Sequence, residues 1–203
     1  MRMRYRALRF MLAISASALI MSCNDDNSTT PTLPAGCQSQ GVFAIGVVQT
    51  DFHCLPTNAY VDPTQVLGPN NARKDGDGKL EFRGFTSLGI DGSMTLYMGS
   101  CIQDLPGDDL RVFQSVSTEG LEVLVSQNMD GPFVSLGIKE CTDGPPIFTV
   151  SCGFDLAGSG LNNVRVVKII DREAVFFQGA QCDNAGPSPG ADIDAVEVIH
   201  PVP

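Results

Sequence analysis

Asp75 and Asp77 lie in the stretch KDGDGKLEF, residues 74–82, which has the alternating carboxylates of a calcium-binding EF-hand loop. Such a loop also needs an acidic ligand at its first position and a bidentate Glu at its twelfth. With Asp75 and Asp77 at the third and fifth positions, Arg73 falls at the first and Gly84 at the twelfth. A cation and a glycine cannot supply those ligands. The stretch therefore predicts a Gly/Asp turn that leads into a strand.

Two other carboxylate pairs stand beside apolar runs. A Pro-Gly turn at residues 106–107 is expected to place Asp108 and Asp109 at the mouth of a strand. Asp192 and Asp194 are two residues apart, so on an extended strand they project from the same face. Carboxylates placed in this way either ligate a hard cation such as Ca²⁺ or cap turns by accepting hydrogen bonds from the backbone. The spacing leaves both roles open.

The sequence has seven cysteines. Apart from Cys23, which follows a short apolar segment, they are even in number, and in an exported chain this favours disulfides. A metal site is disfavoured because there is no C-x-x-C pair and the two histidines lack ligand spacing. The predicted pairs close short local loops where possible, and the last pair follows by elimination: Cys37–Cys54, Cys141–Cys152 and Cys101–Cys182.

The N-terminus has the pattern of an export signal. Four arginines within residues 2–9 precede FMLAISASALIM, residues 10–21, an apolar run too short for an ordinary membrane span. The run ends in LIMSC, residues 19–23, which resembles the lipobox of bacterial lipoproteins. The resemblance implies that Cys23 receives a lipid, becomes the mature N-terminus and anchors the exported protein to a membrane, at the outer membrane or cell surface.

The charge of the chain argues against nucleic acid as a partner. The formal net charge is −10, and removal of residues 1–22 leaves 9 basic and 23 acidic residues, a net charge of −14. A surface this acidic repels phosphate backbones, and no basic stripe is present. We therefore predict no nucleic-acid binding.

Three segments follow from the composition. Residues 1–22 are the predicted signal peptide, residues 23–40 the lipidated cysteine with a flexible linker, and residues 41–203 a β-rich domain. The linker prediction depends on NDDNSTTPTLPAG, residues 24–36, which is polar, contains proline and shows no periodicity.

Short β-rich runs alternate with Gly, Pro, Asp and Asn turns from about residue 41 onward. In one of them Met94, Leu96 and Met98 share one face of a strand, with Thr95 and Tyr97 on the other. No stretch holds a helical period with caps at both ends. About ten short strands at this spacing indicate an antiparallel sandwich or barrel. The runs are GVFAIGVV, KLEFRGF, SMTLYMG, LRVFQSV, LEVLVS, FVSLGI, IFTVSC, NVRVVKII, AVFFQG and DAVEVI.

Six longer phrases occur in a characteristic order: VLGPNNA (66–72), TSLGIDGSMTLYM (86–98), DLPGDDLRVFQ (104–114), VSQNMDGPFVSLG (125–137), DLAGSGLNNVRVVKIID (155–171) and GADIDAVEVI (190–199). Together they resemble a family of bacterial cell-surface domains that is similar to the galactose-binding-like and discoidin-like jelly rolls. The resemblance covers roughly residues 60–200. It implies an all-β fold, an antiparallel jelly-roll β-sandwich, and a role in binding rather than catalysis.

The resemblance also bears on the carboxylate pairs. Jelly rolls of the carbohydrate-binding type often hold a structural calcium near their first and last strands. The resemblance places Asp108 and Asp109 at a point equivalent to Asp192 and Asp194, so that the four would form one calcium site. Turn capping by the same four residues remains the alternative.

The sequence offers no recognisable catalytic constellation. There is no G-x-S-x-G motif, and neither His53 nor His200 belongs to a known arrangement. Trp is absent, so Tyr60, Tyr97 or an exposed Phe would have to stack on a sugar. We predict a non-catalytic surface lipoprotein whose jelly-roll domain binds a carbohydrate or protein ligand. The second hypothesis is a purely structural or assembly module, and the third is a hydrolase.

Overall fold

The computed structural model describes residues 36–37, 39–54, 60–71, 84–115, 119–142, 149–176 and 189–203. All of them belong to one compact unit. Several predictions lie outside these residues: the signal segment, Cys23, most of the linker, the 74–82 stretch and Cys182. No helix among the described residues is long and apolar enough to cross a membrane.

Two antiparallel sheets contain all nine strands of the described residues. The five-stranded sheet has the order β1-β3-β8-β5-β6, and the four-stranded sheet has the order β2-β9-β4-β7. The strands are β1 (Ala44–Asp51), β2 (Thr86–Ser87), β3 (Ser93–Ile102), β4 (Leu110–Ser115), β5 (Gly120–Ser126), β6 (Val134–Glu140), β7 (Thr149–Phe154), β8 (Val164–Asp171) and β9 (Asp192–Val198). The predicted all-β jelly-roll sandwich is confirmed.

The core lies between the two sheets and follows from the alternation of the strands. Met94, Leu96 and Met98 are fully buried in it, whereas Tyr97 belongs to the opposite face of β3. On the four-stranded sheet, Val112 and Val196 are likewise buried in the core. They pair directly with each other across the β4–β9 ladder. A period of two places every second side chain on the same face, which is why this part of the fold could be predicted.

One predicted strand is wrong in the part of it that the structure describes, residues 174–176. The run AVFFQG begins inside a short helix, α1 (Glu173–Phe176). The side chain of Asp171 accepts a hydrogen bond from the backbone N–H of Glu173 at 3.3 Å, as a helix N-cap does. Val175 N–H then bonds to the carbonyl of Arg172. The β-branched and aromatic composition of the run predicted a strand because it carried no information about this cap.

Two predicted cysteine pairs, Cys37–Cys54 and Cys101–Cys182, are also wrong. Cys37 is bonded to Cys101, 64 residues away, and Cys54 is disulfide-bonded as well. The cause is the path of the chain before β1: Gln40 N–H bonds to the carbonyl of Gly99, so this segment runs alongside the end of β3. The Cys141–Cys152 pair is confirmed, and it joins the chain just after β6 to β7.

Candidate functional site

The sandwich has two rims, each built by loops from both sheets. The Asp109 rim consists of residues 103–109, 127–133, 155–163 and 199–203, which meet where Ile102 pairs with both Val164 and Pro201. The Asp171 rim consists of residues 88–92, 172–173 and 189–191, whose backbones are hydrogen-bonded to one another and to the ends of β5 and β8. The two rims lie at opposite ends of the strands because every ladder is antiparallel.

This arrangement corrects the predicted four-carboxylate calcium site. The backbone carbonyl of Asp109 bonds to Ile199 N–H, after the end of β9, whereas Asp192 and Asp194 lie at its beginning. At about 3.3 Å per residue, the two pairs are separated by roughly 16–23 Å along the strand. The resemblance suggested adjacent turns, but the β4–β9 register puts them at opposite ends. The four residues cannot share one ion.

Asp109 instead caps the loops of its rim. Its buried carboxylate accepts hydrogen bonds from Leu105 N–H at 3.0 Å and Leu156 N–H at 2.7 Å, and it contacts His200 Nδ1 at 2.9 Å. The exposed Asp104 and Asp155 come close to it: one oxygen from each of the three lies within 4.8 Å of the others. A structural calcium therefore stays a prediction, but Asp108, Asp109, Asp192 and Asp194 can no longer be its common ligands.

Asp108, in contrast, is exposed and lies against the backbone of β7. A Cβ atom built on Gly153 would fall 1.8 Å from Asp108 Oδ2, so the glycine leaves room for the carboxylate. The sequence predicted the turn that presents this side chain. It did not reveal which neighbour the side chain meets.

The carboxylates of β9 also accept hydrogen bonds from other segments of the chain. Asp192 Oδ1 accepts a hydrogen bond from the Ser87 hydroxyl, and Asp194 Oδ1 accepts one from Asn71 N–H at 2.9 Å. Both aspartates are nearly fully buried. Because these bonds reach segments about a hundred residues away in sequence, the two side chains tie β9 to residues 71 and 87. Asp194 makes the side-chain to backbone hydrogen bond that the capping alternative expected, whereas Asp192 bonds to a side chain of its partner strand β2.

Another buried aspartate, Asp171, was not predicted from the sequence to have a role. Its buried carboxylate accepts hydrogen bonds from Ala191 N–H at 2.8 Å, Asp91 N–H at 3.0 Å and Glu173 N–H at 3.3 Å. Burial raises the pKa of Asp171 to about 6, although the backbone hydrogen bonds oppose that shift. The sequence offered one indication of its capping role: Asp171 is the last residue of a β-rich run. The helix that follows it had been predicted as a strand, so the indication was not recognised.

A pocket at the Asp109 rim has a volume of about 290 Å³. Its buried part includes Tyr97 and Arg165 beside the apolar Val166, and its exposed part includes Gln127, Asn128 and Asn163 together with the apolar Met129. The Cys37–Cys101 disulfide forms a further wall. The pocket thus combines planar amides, a guanidinium, an aromatic ring and a thioether, which are groups that recognise small polar ligands.

A register shift brings Tyr97 and Arg165 together. Tyr97 pairs with Val166, but the next pair is Ile102 with Val164, so β3 bulges against β8. Val164 and Val167 belong to the core, and Arg165 between them does not. Its guanidinium lies 4.6 Å from the centre of the Tyr97 ring, and its Nε donates to the Met98 carbonyl at 3.4 Å. A β-bulge commonly changes the direction in which a side chain points. No pattern in the sequence predicted this bulge.

The loops of the pocket are held by their own hydrogen bonds. Gln127 donates a side-chain hydrogen bond to the carbonyl of Asn162, which links the β5–β6 loop to the β7–β8 loop. Asn163, at the end of the second loop, has a φ of 59°, in the left-handed region that Asn tolerates better than most residues. The amides are therefore presented by loops that are fixed relative to each other.

The other residues considered for chemistry lie apart from the pocket. The ring of Tyr60 is stacked on Phe85, with ring centres 5.3 Å apart. His53 is exposed and lies 3.6 Å from the Asp51 carboxylate. His200 is engaged with Asp109, as described above. Of the aromatic residues proposed to stack on a sugar, Tyr97 lines the pocket.

Comparison with known proteins adds little beyond the fold. No family model matches the chain, and no curated protein matches it. Among solved structures, it is similar to a carbohydrate binding module of family 29, with 12% identity over 57% of this chain and 66% of that one and a TM-score of 0.32. A mutant of such a module matches with 14% identity over 75% of this chain and 91% of that one, at a TM-score of 0.34. A further mutant of this module also matches, and the chain spans 64% of its solved length. At such values the likeness supports no inference about a ligand.

Proposed function

We propose that this protein is an exported lipoprotein, anchored through Cys23, whose jelly-roll domain binds a glycan without transforming it. The observation that carries the proposal is the pocket at the Asp109 rim, where Tyr97, Arg165 and three side-chain amides surround a volume of about 290 Å³. The proposed flexible linker ends before Gly36 and not at residue 40, because Cys37 is bonded to Cys101 and lines the pocket. Such a linker between Cys23 and the binding domain would hold this pocket away from the membrane.

The chemistry of the lining suits a sugar. Side-chain amides both donate and accept hydrogen bonds, so Gln127, Asn128 and Asn163 can each pair with a hydroxyl group whichever way its proton points. Met129 offers an apolar contact for the C–H groups of a pyranose ring. A volume at the lower end of the range for small-molecule sites favours one sugar unit over a long chain.

Glycan-array screening followed by calorimetry tests the proposal. Asn128→Ala and Gln127→Ala should each weaken binding about fivefold to tenfold, because each removes hydrogen bonds worth about 1 kcal/mol. The matched controls are Asn70→Ala and Gln49→Ala, which truncate exposed amides that do not line the pocket. Binding that responds equally to pocket and control variants, or no binding to any glycan, would refute the proposal and favour a purely structural module.

A further inference from the structure

The charges around the pocket favour a neutral ligand. Among the described residues that line it, Arg165 alone has a charged side chain. Arg165 is 4% exposed and is engaged within the protein by the Tyr97 ring, the Met98 carbonyl and a further interaction. None of the described lining residues has a carboxylate that could pair with an amine. An acidic or a basic ligand would therefore lose hydration without gaining an opposite charge.

The amide of Asn128 is presented to the pocket by a loop that is fixed through its backbone. Asn128 N–H bonds to Ser126 Oγ at 3.1 Å, and the Asn128 carbonyl accepts a hydrogen bond from Gly131 N–H at 3.1 Å. Neither bond uses the side chain of this exposed residue, which lines the pocket. A side-chain amide has N–H donors beside a C=O acceptor, so it pairs well with a group that has the same two functions.

An apolar surface adjoins this amide. Met129, the next residue, lines the pocket and is 40% exposed, so a ligand can remove part of it from water. Val166 and the Cys37–Cys101 disulfide add apolar surface to the lining. Because Asn128 and Met129 are consecutive, a ligand that pairs with the amide also meets an apolar contact close by.

We propose that the glycan is an N-acetylated amino sugar, whose acetamido group pairs with the Asn128 amide while its methyl group packs on Met129. An acetamido group is neutral, has one N–H donor and one C=O acceptor, and ends in a methyl group. A hexose with a hydroxyl group in its place lacks the apolar end, and a free amino sugar carries an ammonium ion. This inference rests on the proposed glycan-binding function and names the class of glycan.

The test compares sugars that differ in this one group. The full mature protein is screened on an array of N-acetylated and non-acetylated glycans. The tightest N-acetylated sugar is then measured by calorimetry beside its hydroxyl, free-amine and N-formyl analogues. The parent should bind the N-acetyl form about tenfold tighter than the hydroxyl form, which makes one fewer hydrogen bond and has no methyl group to bury. It should bind the N-acetyl form about threefold tighter than the N-formyl form, which lacks only the methyl group.

Two variants locate the acetamido group. Asn128→Ala should reduce the preference for the N-acetyl over the hydroxyl form to about threefold or less, since only the methyl contact remains. Met129→Ala should remove the preference for the N-acetyl over the N-formyl form. Leu105→Ala is the matched control, because Leu105 belongs to the same rim, is 44% exposed and does not line the pocket. It should keep both preferences.

Circular dichroism checks the fold of each variant, and if one does not fold, the sugar series measured on the parent still decides. Equal affinity for the N-acetyl and hydroxyl forms, or tighter binding of a free amine or an acidic sugar, would overturn this inference and leave glycan binding intact. Preferences that survive both pocket variants would do the same. Binding of no glycan by the folded parent would overturn the inference and the proposed function together.

Discussion

Single carboxylates hold the loops of this sandwich in place. Asp109, Asp171 and Asp194 are buried, and each accepts a hydrogen bond from a backbone N–H group of a distant segment. An aspartate used in this way satisfies donors that no strand partner reaches, which would otherwise be costly to bury. For Asp109 and Asp194 the sequence had suggested calcium as well, whereas Asp171 was not among the predicted ligands. Hydrogen-bond partners, which sequence does not show, distinguish the two roles.

Asp171 should make the stability of the protein depend on pH. The pKa of Asp171 is raised from 3.8 to about 6 in the folded state, so in this window the folded protein keeps a proton that the unfolded chain has lost. Stability should therefore fall as pH rises from about 4 to about 6, by roughly 3 kcal/mol. Urea unfolding of the parent and of Asp171→Asn should show a flatter pH profile for the variant.

Asp130→Asn provides the control for this experiment, because Asp130 is exposed and its loss changes the net charge equally. Its pH profile should run parallel to that of the parent. A profile for Asp171→Asn that also runs parallel would contradict the role assigned to Asp171. The slope is the measured quantity, because the amide also disturbs the hydrogen bonds of the site at every pH.

The carboxylates of β9 should stabilise the fold without binding calcium. Asp192→Asn combined with Asp194→Asn should lower the melting temperature by the same amount in calcium and in chelator, because both carboxylates accept hydrogen bonds from the protein. Thermal unfolding of the parent and variant in both conditions is the measurement. Asp104→Asn combined with Asp155→Asn serves as the comparison from the other rim. A calcium-dependent shift that the β9 variant alone removes would show that these residues ligate the ion.

At the scale of elements, glycines allow neighbouring turns to approach closely. Gly89 has a φ of +74°, and a Cβ atom placed on it would lie 1.5 Å from the carbonyl oxygen of His53. The turn after β2 therefore contacts the segment after β1 through backbone atoms alone. His53 N–H bonds to the carbonyl of Leu88 at the same place. A side chain of any size would force these segments apart.

Gly89→Ala should destabilise the domain by more than about 2 kcal/mol, because it adds a backbone clash to the strain of a left-handed conformation. Gly158→Ala isolates the strain: Gly158 has a φ of +83° and nothing within 4 Å of the added atom. Its cost should be only about 1–2 kcal/mol. Chemical denaturation measures both. Equal losses for the two variants would mean that the loops relax around the new methyl group.

For the whole molecule, the lipid anchor remains the prediction with the most direct test. Cys23→Ala should abolish incorporation of labelled fatty acid and release the protein from the membrane fraction, because the thiol that would be acylated is gone. Ser22→Gly keeps a small residue before the cysteine and should leave labelling unchanged. Labelled Cys23→Ala protein would show that the lipid is attached elsewhere or that the export signal is of another kind.

Local patterns in the sequence determined the class of fold. The alternation of Met94, Leu96 and Met98 with Thr95 and Tyr97 depends only on the period of an extended chain, so it needed no knowledge of partners. The Cys141–Cys152 pair was predictable for a similar reason, since it closes a loop of only 11 residues. The acidic net charge is likewise known from the sequence without any structure.

The tertiary structure decided everything that depends on register. Only the antiparallel pairing of β4 with β9 separates Asp109 from Asp194, and only the path of residues 37–40 beside β3 joins Cys37 to Cys101. The shift between β3 and β8 turns Arg165 out of the core and onto Tyr97. Each of these contacts joins residues far apart in sequence, and their relative position is set by how whole strands align. A pattern within one strand fixes which face a side chain takes, but not what it meets there.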